Sequence, residues 1–145
     1  MPIPTAAELR EFARNYVELW NAGDHEAWVA NWRKVGPGEF TMYDPVGTPP
    51  KFGFEACVLS PWKLFNGRVK FKHHSGIVMV NGNELAWVLD NEITTDGKTF
   101  VGHSIETFCF AEDGSVTIRT WYDVPERDES ELGEMFQTYL PEDEA

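Results

Sequence analysis

Residues 80 to 98 read VNGNELAWVLDNEITTDGK, a segment of alternating apolar and polar character held between two dipeptides, Asn81-Gly82 and Asp96-Gly97. Asn-Gly and Asp-Gly accept the positive φ angles of tight hairpin turns, and flanking runs of Val, Ile, Thr, Phe and Trp supply strands. A third such dipeptide, Asp113-Gly114, follows, so the three turns stand 15 and 17 residues apart. They predict four long strands, about 68–80, 84–95, 98–111 and 115–124, in an antiparallel meander.

Upstream, the character is helical. Thr5-Ala-Ala-Glu8 has the form of a capping box, and Leu9, Phe12, Ala13, Tyr16, Val17 and Trp20 then follow the stripe of one helix face. Gly23 should end that helix and Asp24 should cap a second, carrying Ala27, Trp28, Val29 and Trp32 until the Gly36–Gly38 break. The stretch "EFTMYD" reads as a short strand that runs into the loop "PVGTPPKFG". "FGFEACVLSPWKLFNG" reads as a third helix, interrupted or begun anew at Pro61. A long sheet with one apolar face needs a cover. The expected fold class is therefore α+β, a cone of curved antiparallel sheet covered by the N-terminal helices, with a cavity between them.

The chain has 145 residues, a size that suits a single domain over residues 1–125. Its net charge of −12 is uneven: residues 126–145 hold eight acids and one arginine, so −7 lies in an acidic tail, with a short helix expected around "LGEMFQTYL". Acidity of this kind argues against a nucleic-acid partner, since phosphates need clustered Lys and Arg. No apolar run reaches the roughly 20 residues that span a bilayer. Two cysteines without metal-type spacing and no export-like N-terminus point to a reduced, cytoplasmic protein. His25, His73, His74 and His103 show no helical i, i+4 pairing, and His73 and His74 should face opposite ways on a strand, so no metal is expected. There is also no phosphate-cradling glycine loop and no nucleophile elbow. Cofactor-free acid/base chemistry or simple binding is what remains.

"NYVELWNAGDHEAW" (15–28), "YDPVGTPPKFG" (43–53) and "SIETFCFAEDGSVTIRTWYDV" (104–124) together resemble the ketosteroid isomerase branch of the nuclear transport factor 2-like, or SnoaL-like, superfamily. The resemblance covers about residues 8–124 and implies the same cone-shaped α+β barrel. It also implies roles. Tyr16 matches the helix-one tyrosine that donates to the substrate oxygen, Asp44 the proton-transferring base of D-P-x-G, and Glu106 the protonated acid that shares the oxyanion hole. Two positions depart from the family: glutamate stands where the family has aspartate at Glu106, and Trp32 stands where some members have a second tyrosine.

The chemistry has its own logic. Removing a proton beside a carbonyl leaves an enolate, so one ionised carboxylate must sit by the carbon and donors by the oxygen. Trp28, Trp32, Phe54, Trp62, Trp87, Phe108 and Trp121 are candidates to line an apolar cleft for a flat substrate. Asp90 and Glu92 share a strand face and lie across from His103 and Ser104, a further polar cluster. The leading expectation is an isomerase acting on a small hydrophobic, oxygen-bearing substrate such as a steroid-like enone. Rivals are a lyase or dehydratase acting on an aromatic substrate, and a non-catalytic binding protein or scaffold. A homodimer is expected in each case.

Overall fold

The fold comes from a computed structural model, which describes residues 2–122. The acidic tail and its expected helix lie outside the described residues. Helix α1 (Ala6–Ala22) starts as the sequence predicts: Thr5 Oγ1 accepts from the Glu8 amide at 3.2 Å and Glu8 Oε1 accepts from the Thr5 amide at 3.0 Å. It ends at Gly23, whose φ of 71° is the left-handed cap that a side chain would strain. Asp24 caps helix α2 (His25–Val35) through the Ala27 amide.

Strand β1 (Phe40–Tyr43) is followed by a two-residue strand β2 (Lys51–Phe52), which the proline-rich loop gave no reason to expect. The third helical region has two parts. A π-helical segment, Glu55–Leu59, continues directly into α3 (Ser60–Phe65), and Pro61, which has no amide hydrogen to donate, falls just after the change from one helical period to the other. The meander then runs as β3 (Val69–Asn81), β4 (Glu84–Thr95), β5 (Lys98–Phe110) and β6 (Val116–Tyr122).

The sheet order is β2-β1-β6-β5-β4-β3. The meander is antiparallel as expected, but β1 lies parallel to β6, with Phe40 opposite Val116, so the whole sheet is mixed and open rather than a closed antiparallel barrel. Such a parallel pair joins distant parts of the chain, and no hairpin dipeptide announces it. A close approach fixes the junction: the Gly38 amide donates to the Gly114 carbonyl at 2.8 Å, and a Cβ on Gly38 would come within 2.7 Å of the Gly114 backbone.

Alternation sorts the side chains into two faces. Leu85, Trp87, Leu89, Asn91 and Ile93 of β4, with Ser104, Glu106, Phe108 and Phe110 of β5, turn inward and are all buried, the polar ones included. Helix α1 packs its stripe of Leu9, Phe12, Ala13, Tyr16 and Trp20 on that face. Polar ties hold it there. Trp20 Nε1 donates to the Val69 carbonyl at 2.8 Å, and Asn21 exchanges hydrogen bonds with the backbone of Phe71. The outer face carries Met79, Val101, Ile105 and Trp121, all exposed. No helix among the described residues is long and apolar enough to cross a membrane.

Candidate active site

Strand parity aims the first carboxylate. Phe40 and Met42 point into the core, so Asp44, next in the alternation and just past the strand end, points inward too. The Asp44–Pro45 peptide is cis. The same rule turns Glu106 inward between Ser104 and Phe108, and the α1 stripe delivers Tyr16. All three line one cavity, whose empty space with its open mouth included is about 820 Å³.

Its walls are aromatic. Tyr16 stacks on Phe71 with centroids 5.7 Å apart, and Trp20 stacks on the other part of the same wall, 4.5 Å from Phe71. Trp28 and Trp32 close one side, with Met42, Phe65, Ile93, Phe108 and Ile118. Water-poor walls penalise charge, and the carboxylates respond. Burial pushes Asp44 up to about 6, against the pull of a hydrogen bond from Tyr122 and the charge of Lys51. Burial likewise pushes Glu106 up to about 7, opposed by its donors Trp87 and Thr120 and helped by the negative charge of Asp44. Tyr16 is held well above the ordinary phenol range by burial and by both carboxylates, so it stays a neutral donor.

Hydrogen bonds assign the oxygens. Trp87 Nε1 donates to Glu106 Oε1 at 2.9 Å, and an indole can only donate, so that oxygen is an acceptor. Oε2 accepts from Thr120 Oγ1 only at a long 3.4 Å, so it is the less strongly held oxygen and the one freer to carry a proton. This also shows how the fold seats the extra methylene of glutamate: the carboxyl reaches back to Trp87 on the neighbouring strand. Asp44 Oδ1 is buried without a hydrogen-bond partner among the described residues, as are the indole nitrogens of Trp28 and Trp32. Orphaned polar atoms clustered in one wall are costly and mark a place where a ligand's polar atoms are wanted.

Four of the expected lining residues are elsewhere. Trp87 lies behind the site, 1% exposed, as the donor to Glu106. Phe54 carries the Arg33 guanidinium 3.7 Å over its ring and packs edge-on to Phe40. Trp62 packs against Trp20, Trp28 and His25 outside the lining. Trp121 is on the outer face near Arg119, because it alternates with the inward Thr120. Trp28, Trp32 and Phe108 do line the cavity.

The expected polar cluster of Asp90, Glu92, His103 and Ser104 also divides between the faces. Asp90 pairs with His103 on the outside, whereas Ser104 faces inward and accepts from Asn91 Nδ2 at 3.0 Å. Asn91 and Tyr122 are the polar lining residues that sequence reasoning missed, although inward parity would have found the first. Cys57, also in the lining, is pushed up to about 12 by burial and is an unreactive thiol.

A scan against protein-family models finds no match, and neither does a search of curated proteins. Solved structures do match. One is the epoxide hydrolase/cyclase-like enzyme SalBIII, which has a role in pyran ring formation in the polyether salinomycin (TM-score 0.65, 19% identity, 82% of this chain and 94% of that one). Another is described as a SnoaL-like polyketide cyclase from Jannaschia sp. CCS1 (TM-score 0.66, 18% identity, 97% and 96%). A third is an LEH-like epoxide hydrolase from M. tuberculosis (TM-score 0.62, 15% identity, 92% and 90%). Together they show that the chain has the NTF2-like fold, in which helices cover a curved sheet.

Proposed function

We propose that this chain is a cofactor-independent acid/base enzyme acting on a small hydrophobic, oxygen-bearing molecule held in the aromatic cavity. The observation that carries the reading is the pair of inward carboxylates, Asp44 near 6 and Glu106 near 7, sharing one apolar cavity with Tyr16. At neutral pH such a pair is split between the two forms catalysis needs. Asp44 is mostly the ionised base and Glu106 is substantially the neutral acid.

In a carbonyl substrate, Asp44 takes a proton from the carbon next to the carbonyl and the electron pair moves onto the oxygen. Tyr16 O–H and the Glu106 Oε2 proton donate to that oxygen. Return of the proton from Asp44 to the far carbon of the conjugated system completes a double-bond shift and regenerates the base. A positioned base contributes about 10²- to 10⁴-fold, and one oxyanion donor on the order of 3 kcal/mol. Asp44→Asn should cut turnover of cyclic enones by about that first factor while quenching of the cavity tryptophans by ligand persists. Wild-type turnover in this variant would remove Asp44 from the role of base.

A second reading keeps the residues and changes the bond: opening or closing of a cyclic ether, with Glu106 protonating the ring oxygen and Asp44 deprotonating the attacking hydroxyl or water. The raised Glu106 and the chemistry named for two of the fold's relatives favour it. A panel of enones and epoxides separates the two. Turnover of epoxides alone would overturn the isomerase version, and turnover of neither, with tight binding retained, would support a non-catalytic binding protein.

A further inference from the structure

The absence of local metal-type spacing led to the expectation of no metal, but the sheet assembles from three strands what no single segment shows. On the outer face, His74 Nδ1–H donates to Asp90 Oδ1 at 2.9 Å and His103 Nδ1–H donates to the same oxygen at 2.8 Å. The two imidazole rings stand 5.2 Å apart at 70°. We propose that His74, Asp90 and His103 form a binding site for a divalent transition metal of the zinc class, on the face of the sheet opposite the cavity.

Three ligating atoms, one from each residue, lie within 4.8 Å of one another. Zinc–nitrogen and zinc–oxygen bonds of about 2.0–2.2 Å in tetrahedral array put ligand atoms roughly 3.4 Å apart, so each hydrogen-bonded contact has to open by about 0.5 Å and the two nitrogens have to close by at most about 1.4 Å. Both Nδ1 atoms already aim at one point. Metal entry moves each imidazole proton to Nε2 and turns the freed Nδ1 lone pair onto the ion, with Asp90 supplying the balancing charge. Two imidazoles and one carboxylate are the mixed nitrogen–oxygen set that suits zinc, cobalt or nickel and leaves an open position for water.

The backbone fixes the set in place. Asp90 and His103 are direct cross-strand partners on β4 and β5. His74 reaches them from β3, where the ladder breaks between His73 and Val78 with Ser75 and Gly76 at φ 51° and 67°. Among the described residues, the charged groups facing the site are Lys70 and Lys72 of β3 and Glu92 of β4, while β5 flanks His103 with apolar Val101 and Ile105. Lys72, opposite Asp90, opposes a cation and sets the affinity below that of a closed structural site.

The test is calorimetric titration of the tag-free full chain with Zn²⁺ after chelator treatment and dialysis, alongside Co²⁺ absorption spectra. One ion per chain is expected, with a visible Co²⁺ ligand-field band. His103→Ala and Asp90→Ala should each weaken binding at least ~10-fold and abolish the band, whereas His25→Ala should bind as wild type. His74→Gln repeats the test should either alanine variant lose its native circular dichroism. Asp44→Asn should bind zinc unchanged, which keeps this result separate from the reading of the cavity. The proposal is overturned if the wild type takes up no zinc, or if the His103 and Asp90 variants bind it as tightly as the wild type does.

Discussion

Asp90 and Glu106 sit on neighbouring strands of one sheet, yet they answer pH in opposite senses because they face opposite ways. Asp90, on the outer face, meets a burial penalty that is the largest single influence on it, but the hydrogen bonds from His74 and His103 together outweigh it and hold the carboxyl below the usual range. It stabilises the fold above its unfolded value, and that contribution is lost as pH falls through its folded value. Glu106, on the inner face, is raised from 4.5 to about 7 chiefly by burial, so its contribution is present below pH 4.5 and is lost as pH rises toward 7. Asp44 follows Glu106, raised from 3.8 to about 6. Proton affinity here is set by the face a residue occupies, and strand parity sets the face.

The comparison can be broken most forcefully through the base. Loss of turnover in Asp44→Asn, about 10²- to 10⁴-fold, is the largest expected effect; an equal loss in Asp90→Asn would mean that the outer face takes part in the chemistry. Next comes Glu106→Gln, which keeps an acceptor for Trp87 but removes the titration. Unfolding free energy measured from pH 4 to 8 should then lose much of its decline with rising pH, on the order of 3 kcal/mol; a variant with the same slope as wild type would contradict the raised acid. Trp87→Phe strips Glu106 Oε1 of its donor. It should cost about 1–3 kcal/mol in denaturant unfolding and move the pH–rate profile upward. The smallest effect belongs to Asp90→Asn, within about 1 kcal/mol at neutral pH, as exposed ion pairs usually are.

Much of this was legible because two periods govern it. The helix stripe that carries Leu9 and Phe12 also carries Tyr16, and the alternation that buries Phe40 and Met42 must bury Asp44. The three turn dipeptides place Glu106 opposite Trp87, which is the contact that holds it. What period alone could not tell is depth. Trp87 and Phe108 are both inward and both 1% exposed, yet only Phe108 faces the cavity, while Trp87 packs against Tyr16 and His73 with ring centroids 4.9 Å away in each case. Trp121 was misassigned for want of parity: its neighbour Thr120, fully buried, takes the inward place. The outer-face cluster was legible in part: the Asp96-Gly97 turn sets Asp90 across from His103, but His74 joins them only where the β3 ladder shifts register between His73 and Val78, which no turn dipeptide marks.

The parallel seam between β1 and β6 has a consequence for how the protein is made. Phe40 must find Val116, a partner 76 positions downstream, before the strand that aims Asp44 has an edge to lie against. Contacts so far apart are closed late and slowly, since the intervening loop must first be confined. During synthesis, then, helices and meander can gather around an unfinished hollow. Asp44 is seated only once β6 has left the ribosome, so a chain cut short before Val116 is left without the seam that aims it.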